Sequence, residues 1–589
     1  MGQGGFVVVA NGTESDWRLS GHHSYQMAGW NWPDLIPAWG KATVYVEWTE
    51  SITAHVHDDG GEAEYTIQTT GEKLEFQARW PSGSDRRIQM YFKTTPVNGQ
   101  TQGTTVSLGW SHDGFMSFVL TGKRGGYYAT PVPQNWAWIN EINTAWPMQP
   151  ERTLRTMVVP ASHDSGMSSY GSHTAFAFPC NTKTQTKSIH DQLVQGVRFF
   201  DVRPVISGGD YYTGHYSNLN HITDQGANGQ SIDSVVNDVN TFMDATPDLV
   251  ILRISSDLNT DAPNGEYKPF NQAQYLGLLD RLSKLRHPYV ADPEVTDFTQ
   301  VPISSFVGQN RGSVLVFCKP DTPGVMVPNN MAPMYYFDMF PLYDQYAGTN
   351  NLGQMQNDQI KKMGQVKTSA DPRFFVLSWA LTQDGDQATS CFIEPDGPDD
   401  KSIISLAGQA NPTLYDKLWT TIQPPVYPNV VNEDNITDTT NLGLALAINY
   451  KLSKVKSPAS TIVSWRAVAN GKLVTADHEG GSPLIANRDQ VGPWEQFLRL
   501  VNDDGSVSFR AHANGKVVTA DNSGSAPLIA NRDQVGPWEK FDEISHSDGT
   551  VSYRAHANGK YVCADNNGSE PLVANRGQVG AWESFHLIK

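Results

Sequence analysis

Basic residues are scarce in this chain: 43 Lys and Arg stand against 61 Asp and Glu, a formal net charge of -18 over 589 residues. That balance argues against nucleic acid as a partner and against a polybasic dock on an anionic membrane, because both need clustered Lys and Arg. Cysteine is scarcer still. Cys180, Cys318, Cys391 and Cys563 are too few and too scattered for a disulfide framework, and they show no CxxC spacing that points to zinc. No run of about 18 apolar residues is present, so no membrane-spanning helix is expected. The opening MGQGGFVVVANG lacks a basic region followed by an apolar core, and Phe6 stands where a myristoylation signal needs Ser or Thr. The expectation is a protein exported by a non-classical route or peripheral at membranes rather than purely cytoplasmic. Tryptophan is not scarce. Ten of the 16 precede residue 150, where they suit a core, a membrane interface or sugar stacking.

The C-terminus repeats. ANGKLVTAD begins at Ala469, ANGKVVTAD at Ala513 and ANGKYVCAD at Ala557, a period of 44. Each is followed by a related segment: SPLIANRDQVGPWEQF, APLIANRDQVGPWEKF and EPLVANRGQVGAWESF. Short alternating runs broken by Asn-Gly and Asp-Gly turns read as β. One unit cannot bury its own apolar face, so three must close on a shared core, as in a β-trefoil. The repeats resemble the fascin-like trefoil family over residues 458–589. The resemblance implies a binding or spacer module, with carbohydrate as its ligand class, and places Trp494, Trp538 and Trp582 in the trefoil's hydrophobic layer. Residues 1–128 are also β, with GFVVVANG, KATVYVEW, KLEFQARW and RIQMYFKT among short strands that suggest a β-sandwich. That segment distantly resembles small membrane-active fungal cytolysins and fruit-body lectins, which implies a lipid- or glycan-binding module. A packed scaffold is the plainer alternative. YYATPVPQNW and YKLSKVKSPAST read as linkers.

Between them, residues 131–457 alternate strands with helices. RTMVVP, VRFFDVR, DYYTGH, DLVILRI, SVLVFCK, MYYFDM, RFFVLSW and PNVVNED make eight candidate strands, many continuously apolar as buried parallel strands are. Eight suggest a TIM-like barrel, whose functional residues sit at the C-terminal strand ends. SIHDQLVQG reads as a helix capped by Ser188 and stopped by Gly196. Polar residues gather at those strand ends: His163 and Asp164 after the first, Asp201 and Arg203 on the second, His215 at the third, Asp434 at the last. Two His, an Arg and several Asp on one rim make an acid–base site for an anionic substrate.

ASHDSG, DQLVQGVRFFDVRP and TGHY together resemble the catalytic X region of phosphatidylinositol-specific phospholipase C. The resemblance implies cleavage of phosphatidylinositol, or a related inositol lipid or anchor, at a membrane surface. The products are diacylglycerol and inositol 1,2-cyclic phosphate. It assigns His163 as general base, His215 as general acid, Arg203 as phosphate clamp and Asp164 as support for His215. Asp201 then orients Arg203 and Asp434 pairs with His163. Lys319, Asp344 and Tyr346 match positions that contact inositol. Calcium-using members carry acidic residues where Arg203 and Ser255 stand here, and Arg203 repels a cation. The resemblance is therefore to the bacterial, metal-independent type, with no metal and no cofactor. Ser255 and Ser256 replace a basic residue expected after DLVILRIS. The competing function is a lipid- or carbohydrate-binding or cytolysin-like effector with an idle barrel.

Overall fold

The computed structural model describes every residue except 1–2, 51–59, 82–84, 149–150, 218–223, 263–265, 329–331, 368–372, 394–399, 455–460, 503–504, 533–534, 547 and 589. Contacts divide the chain into two compact units, Met1–Val455 and Lys456–Lys589. The second expected linker falls largely outside the described residues.

In the first unit a five-stranded and a six-stranded sheet face each other across one core. Val44, Val46 and Trp48 point into it from the alternating KATVYVEW strand, Lys41–Trp48, and Leu74, Phe76 and Ala78 from Lys73–Arg79. Trp17, Trp30, Trp32 and Trp48 are buried there, so these tryptophans are core. The outer face of the five-stranded sheet is covered too. Val8, Ala10 and Val119 pack with Leu414 and Tyr415 of the following segment. Lys41 pairs with Asp416 at 2.7 Å, and Trp419 Nε1 donates to the Gly40 carbonyl at 2.9 Å. The expected first linker is part of the packing as well, with Val132 buried.

Eight strands then form one all-parallel sheet, in the order Met334–Tyr336, Ser313–Cys318, Leu249–Ile254, Phe199–Val202, Val159–Ser162, Val430–Glu433, Phe374–Ser378 and Leu342–Tyr343. Alternate residues separate cleanly. Val159, Ala161, Phe199, Ile251, Leu315, Phe317, Phe374 and Val376 share one cluster, whereas Phe200, Leu252, Val314 and Val316 join the surrounding helices in another. Phe340 touches Phe317 at 4.3 Å and Phe374 at 4.8 Å between ring centroids, so opposite arcs meet across the interior. The sheet is thus wrapped around a packed core. Among the described residues no ladder joins its two outer strands; the 3-10 helix Phe337–Met339 lies between them in sequence.

One expected strand is misplaced. DYYTGH belongs to Asp210–Ser217, which pairs with Pro204–Ser207 and Gln225–Ser231 in a separate small sheet. Leu342–Tyr343 takes the remaining place in the large one. The helix Ile189–Val194 follows its signals: Ser188 accepts from the Asp191 amide, and Gly196 has φ +102°, where a Cβ would lie 2.4 Å from Leu442.

In Lys456–Lys589 six strands close into a ring: Thr461–Ala467, Phe497–Val501, Val507–Ala511, Phe541–Ser545, Val551–Ala555 and Phe585–Ile588. Three hairpins complete a β-trefoil. Its central aromatic layer is Trp465, Phe509 and Tyr553, with centroids 4.5–5.1 Å apart. Trp494, Trp538 and Trp582 are half-buried outside that core instead, and their carbonyls accept from Ala476, Ala520 and Ala564. The repeat's conserved turn is a close fit. Gly524 has φ +74°, and a Cβ there would sit 2.3 Å from the Asn558 amide of the next repeat.

At the barrel's N-terminal end, Arg198 and Asp248 form a fully buried pair at 2.9 Å. Arg198 also donates to the carbonyls of Leu193, Val197 and Trp136, while Asp248 accepts from the Ile139 and Asn140 amides at the start of the helix Trp138–Ala145. Asp248→Ala strands a buried guanidinium and uncaps that helix. It is expected to cost about 3–5 kcal/mol in a urea titration, and a loss under about 1 kcal/mol contradicts this account.

Candidate active site

Register assembles the site. Ser162 pairs with Glu433 on one side and Phe200 on the other, so the next residues, His163, Asp434 and Asp201, share one level. Asp201 in turn pairs with Arg253. Asp201 and Arg253 follow the inward parity of Phe199 and Ile251, as His163 follows Ala161. The barrel interior is therefore apolar below and charged at its C-terminal rim.

Four charged groups meet there in a chain. Asp434 Oδ1 lies 2.8 Å from His163 Nδ1, and Arg203 Nη2 lies 2.7 Å from His163 Nε2. With the guanidinium donating to Nε2, the ring is neutral and carries its proton on Nδ1, toward Asp434. Arg203 also donates to Asp201 Oδ2 from Nε at 3.1 Å and Nη2 at 2.9 Å. Its Nη1 stands 3.6 Å from Asp164 Oδ2, which is 2.7 Å from His215 Nδ1. Asp164 has φ +42°, and its amide donates to Asp201, which turns its carboxylate across the rim. His215 arrives from the small sheet, not from the barrel, and completes the site on the far side of Arg203.

The charges tune one another. Burial lowers the pKa of His163 and the Asp434 carboxylate raises it, leaving it above the ordinary histidine value. Burial raises Asp201, but the Arg203 and Arg253 guanidinia hold it well below the usual carboxylate range. Tyr346, its ring centroid 5.2 Å from that of His163, is pushed far up by burial and by Asp344 and Asp201.

His163, Arg203, His215, Tyr346 and Asp434 line one cavity of about 320 Å³. Phe176, Ala177, Leu381, Ala388 and Ile403 make part of its wall apolar, among polar neighbours such as Asn181, Gln225 and Gln383. One disulfide, Cys180–Cys391, joins the two chain segments that build this wall. Two expected residues stand apart. Lys319 is exposed over the Phe337 ring at 5.7 Å, and Asp344 is engaged by Arg253 and by Ser378 Oγ rather than lining the cavity. Arg253 is the basic residue that sequence reasoning missed. It lies inside the DLVILRIS strand, two residues before the serines where a basic residue had been sought. Among the described residues no group of three or more His, Cys, Asp or Glu is placed to hold a metal ion.

No protein-family model and no curated protein matches the chain. A phosphatidylinositol-specific phospholipase C from Staphylococcus aureus is similar in structure, with TM-score 0.37 and 13% identity over 54% of this chain and 97% of its own. A designed threefold-symmetric protein covers 22% of this chain and 98% of its own at TM-score 0.21 and 18% identity. A ricin B-like lectin from Macrolepiota procera, solved with lactose, does so at TM-score 0.19 and 12% identity, over 22% of this chain and 94% of its own.

Asp434→Asn removes the charge that raises His163. An NMR titration is expected to show the His163 pKa falling in the variant, and an unchanged value contradicts this assignment.

Proposed function

We propose that this chain is a phosphatidylinositol-specific phospholipase C, acting on phosphatidylinositol or a related inositol lipid or anchor. The observation that carries the reading is the two histidines, each backed by its own aspartate, on either side of one guanidinium. Cyclisation at phosphorus needs that set: a base for the entering hydroxyl, an acid for the departing oxygen and a cation between them. The apolar part of the cavity's wall suits a substrate with a lipid end.

The inositol phosphodiester displaces the Arg203 amine from His163 Nε2 and takes its charge. His163 Nε2 then accepts the proton of the 2-hydroxyl, and that oxygen forms a bond to phosphorus. The bond from phosphorus to the glycerol oxygen breaks, and His215 protonates the departing diacylglycerol. The nucleophile belongs to the substrate, so little entropy is lost in bringing it to phosphorus. Asp434 stabilises the imidazolium formed on His163, Asp164 orients His215, and Asp201 fixes Arg203. Tyr346 and Arg253 face the inositol. The trefoil takes a carbohydrate ligand in this reading.

Phosphatidylinositol vesicles with excess EDTA are expected to yield diacylglycerol and cyclic inositol phosphate, and His163→Ala lowers kcat by about 10²–10⁴-fold. No cleavage with or without calcium overturns the substrate. His215→Ala is expected to lose activity on the lipid and keep most of it on an analogue whose leaving group needs no proton. Because His163 must be neutral to act and its pKa is raised, the acidic limb of kcat/KM lies above about pH 6.5. Asp434→Asn moves that limb to lower pH.

A further inference from the structure

Glu433 and Asp434 are consecutive at the end of the Val430–Glu433 strand, and strand alternation sends them opposite ways. Asp434 serves His163. Glu433 lines a second cleft of about 390 Å³, bounded by the five- and six-stranded sheets on one side and by residues 433–441 on the other. Glu433 and Asp438 are carboxylates in its wall, and among the described residues no Lys, Arg or His lines it.

Two amide oxygens there lack donors. Asn441, 4% exposed, donates through Nδ2 to Glu433 Oε2 at 3.1 Å and to the Val431 carbonyl at 3.2 Å. Its Oδ1 is buried without a partner. Asn411 Nδ2 donates to the Asp434 carbonyl at 2.8 Å, and its Oδ1 is likewise unpartnered, as is Ser117 Oγ. Buried acceptors without donors are costly, which points to a donor-bearing ligand. Leu108, Phe115, Met116, Pro131 and Ile436 give the wall an apolar part, beside the hydroxyls of Ser107, Thr130, Thr437 and Thr440.

We propose that this cleft binds a small organic cation, a primary ammonium on a short hydrocarbon body, whose N–H groups donate to Asn411 Oδ1, Asn441 Oδ1 and the Glu433 carboxylate. A quaternary ammonium has no N–H to give. A bare metal ion leaves the apolar part of the cleft unused, and a neutral polyol leaves Asp438 without a counter-charge.

Proton linkage gives the site a signature. Burial, then Asp438 and Asp434, push Glu433 up to about 8 against the opposing hydrogen bond from Asn441. The Tyr415 hydroxyl, also near Glu433, donates to the Thr440 carbonyl and adds no charge. At neutral pH the ammonium therefore replaces the carboxyl proton, which passes to the buffer, and the Glu433–ammonium pair remains. Affinity rises as pH climbs to about 8 and levels off above it, until the amine itself loses its proton near about 10.4.

The test is isothermal titration of the whole chain with n-butylammonium chloride at pH 7, in phosphate and in HEPES. Saturable binding with release of about one proton per site is expected, and Glu433→Gln abolishes the release. Asp438 is exposed and accepts from the Thr440 amide, a role Asn keeps, so Asp438→Asn folds and weakens binding about tenfold. No saturable binding overturns the proposal. So does binding unchanged in both variants, or binding of calcium chloride or glycerol, but not butylammonium, that these substitutions abolish.

Discussion

One guanidinium organises the rim. Arg203 touches His163, Asp201 and the Asp164 carboxylate at once, so the two histidines cannot be placed independently. It is only 21% exposed, and its positive charge is what allows Asp201, Asp164 and Asp434 to lie so close together. The carboxylates in turn hold the guanidinium above its ordinary pKa against burial. Lysine at this position could match the charge but not the geometry, because a planar fork reaches three partners from fixed directions.

What places Arg203 is the barrel register, and what protects the register is the packing around it. The parallel strands are buried on both faces, so a one-residue slip would exchange Phe199, Asp201 and Arg203 for Phe200 and Val202 at the interior. The five-stranded sheet adds to this. Its inner face fills the sandwich and part of its outer face, at Val8, Ala10 and Val119, covers helices of the barrel. The sandwich thus packs on the barrel segment within one unit, whereas the trefoil's side chains make a self-contained core.

The legible parts of the sequence were those whose pattern is local. ASHDSG and VRFFDVR carry His163, Asp164, Asp201 and Arg203 at fixed offsets from strand ends, and the 44-residue period of the repeats announces its own closure. His215 was identified by its motif but given the wrong support, because DYYTGH alternates and ends like any strand and nothing local says which sheet it joins. Arg253 was passed over because LVILRI is apolar on both faces, so its inward parity is invisible until Asp201 is seen opposite. The Cys180–Cys391 bridge spans 211 residues and carries no spacing signal. In the trefoil, periodicity found three equivalent tryptophans, but the axis is filled by Trp465, Phe509 and Tyr553, whose identity varies between repeats.

Glu433 and Asp434 show what burial alone does not decide. Both are nearly enclosed, 5% and 3% exposed, and they are joined by a single peptide bond. Desolvation raises the Glu433 carboxyl, and the two side chains face different neighbours. Asp434 has the imidazole of His163 in contact, while Glu433 has an amide and two like charges and is driven toward its neutral form. The strand end thus presents the partner of His163 to one cleft and an uncompensated acid to the other. Asn411 ties the two clefts together, because its Nδ2 donates to the carbonyl of Asp434 while its Oδ1 has no partner and its side chain lines the cleft of Glu433.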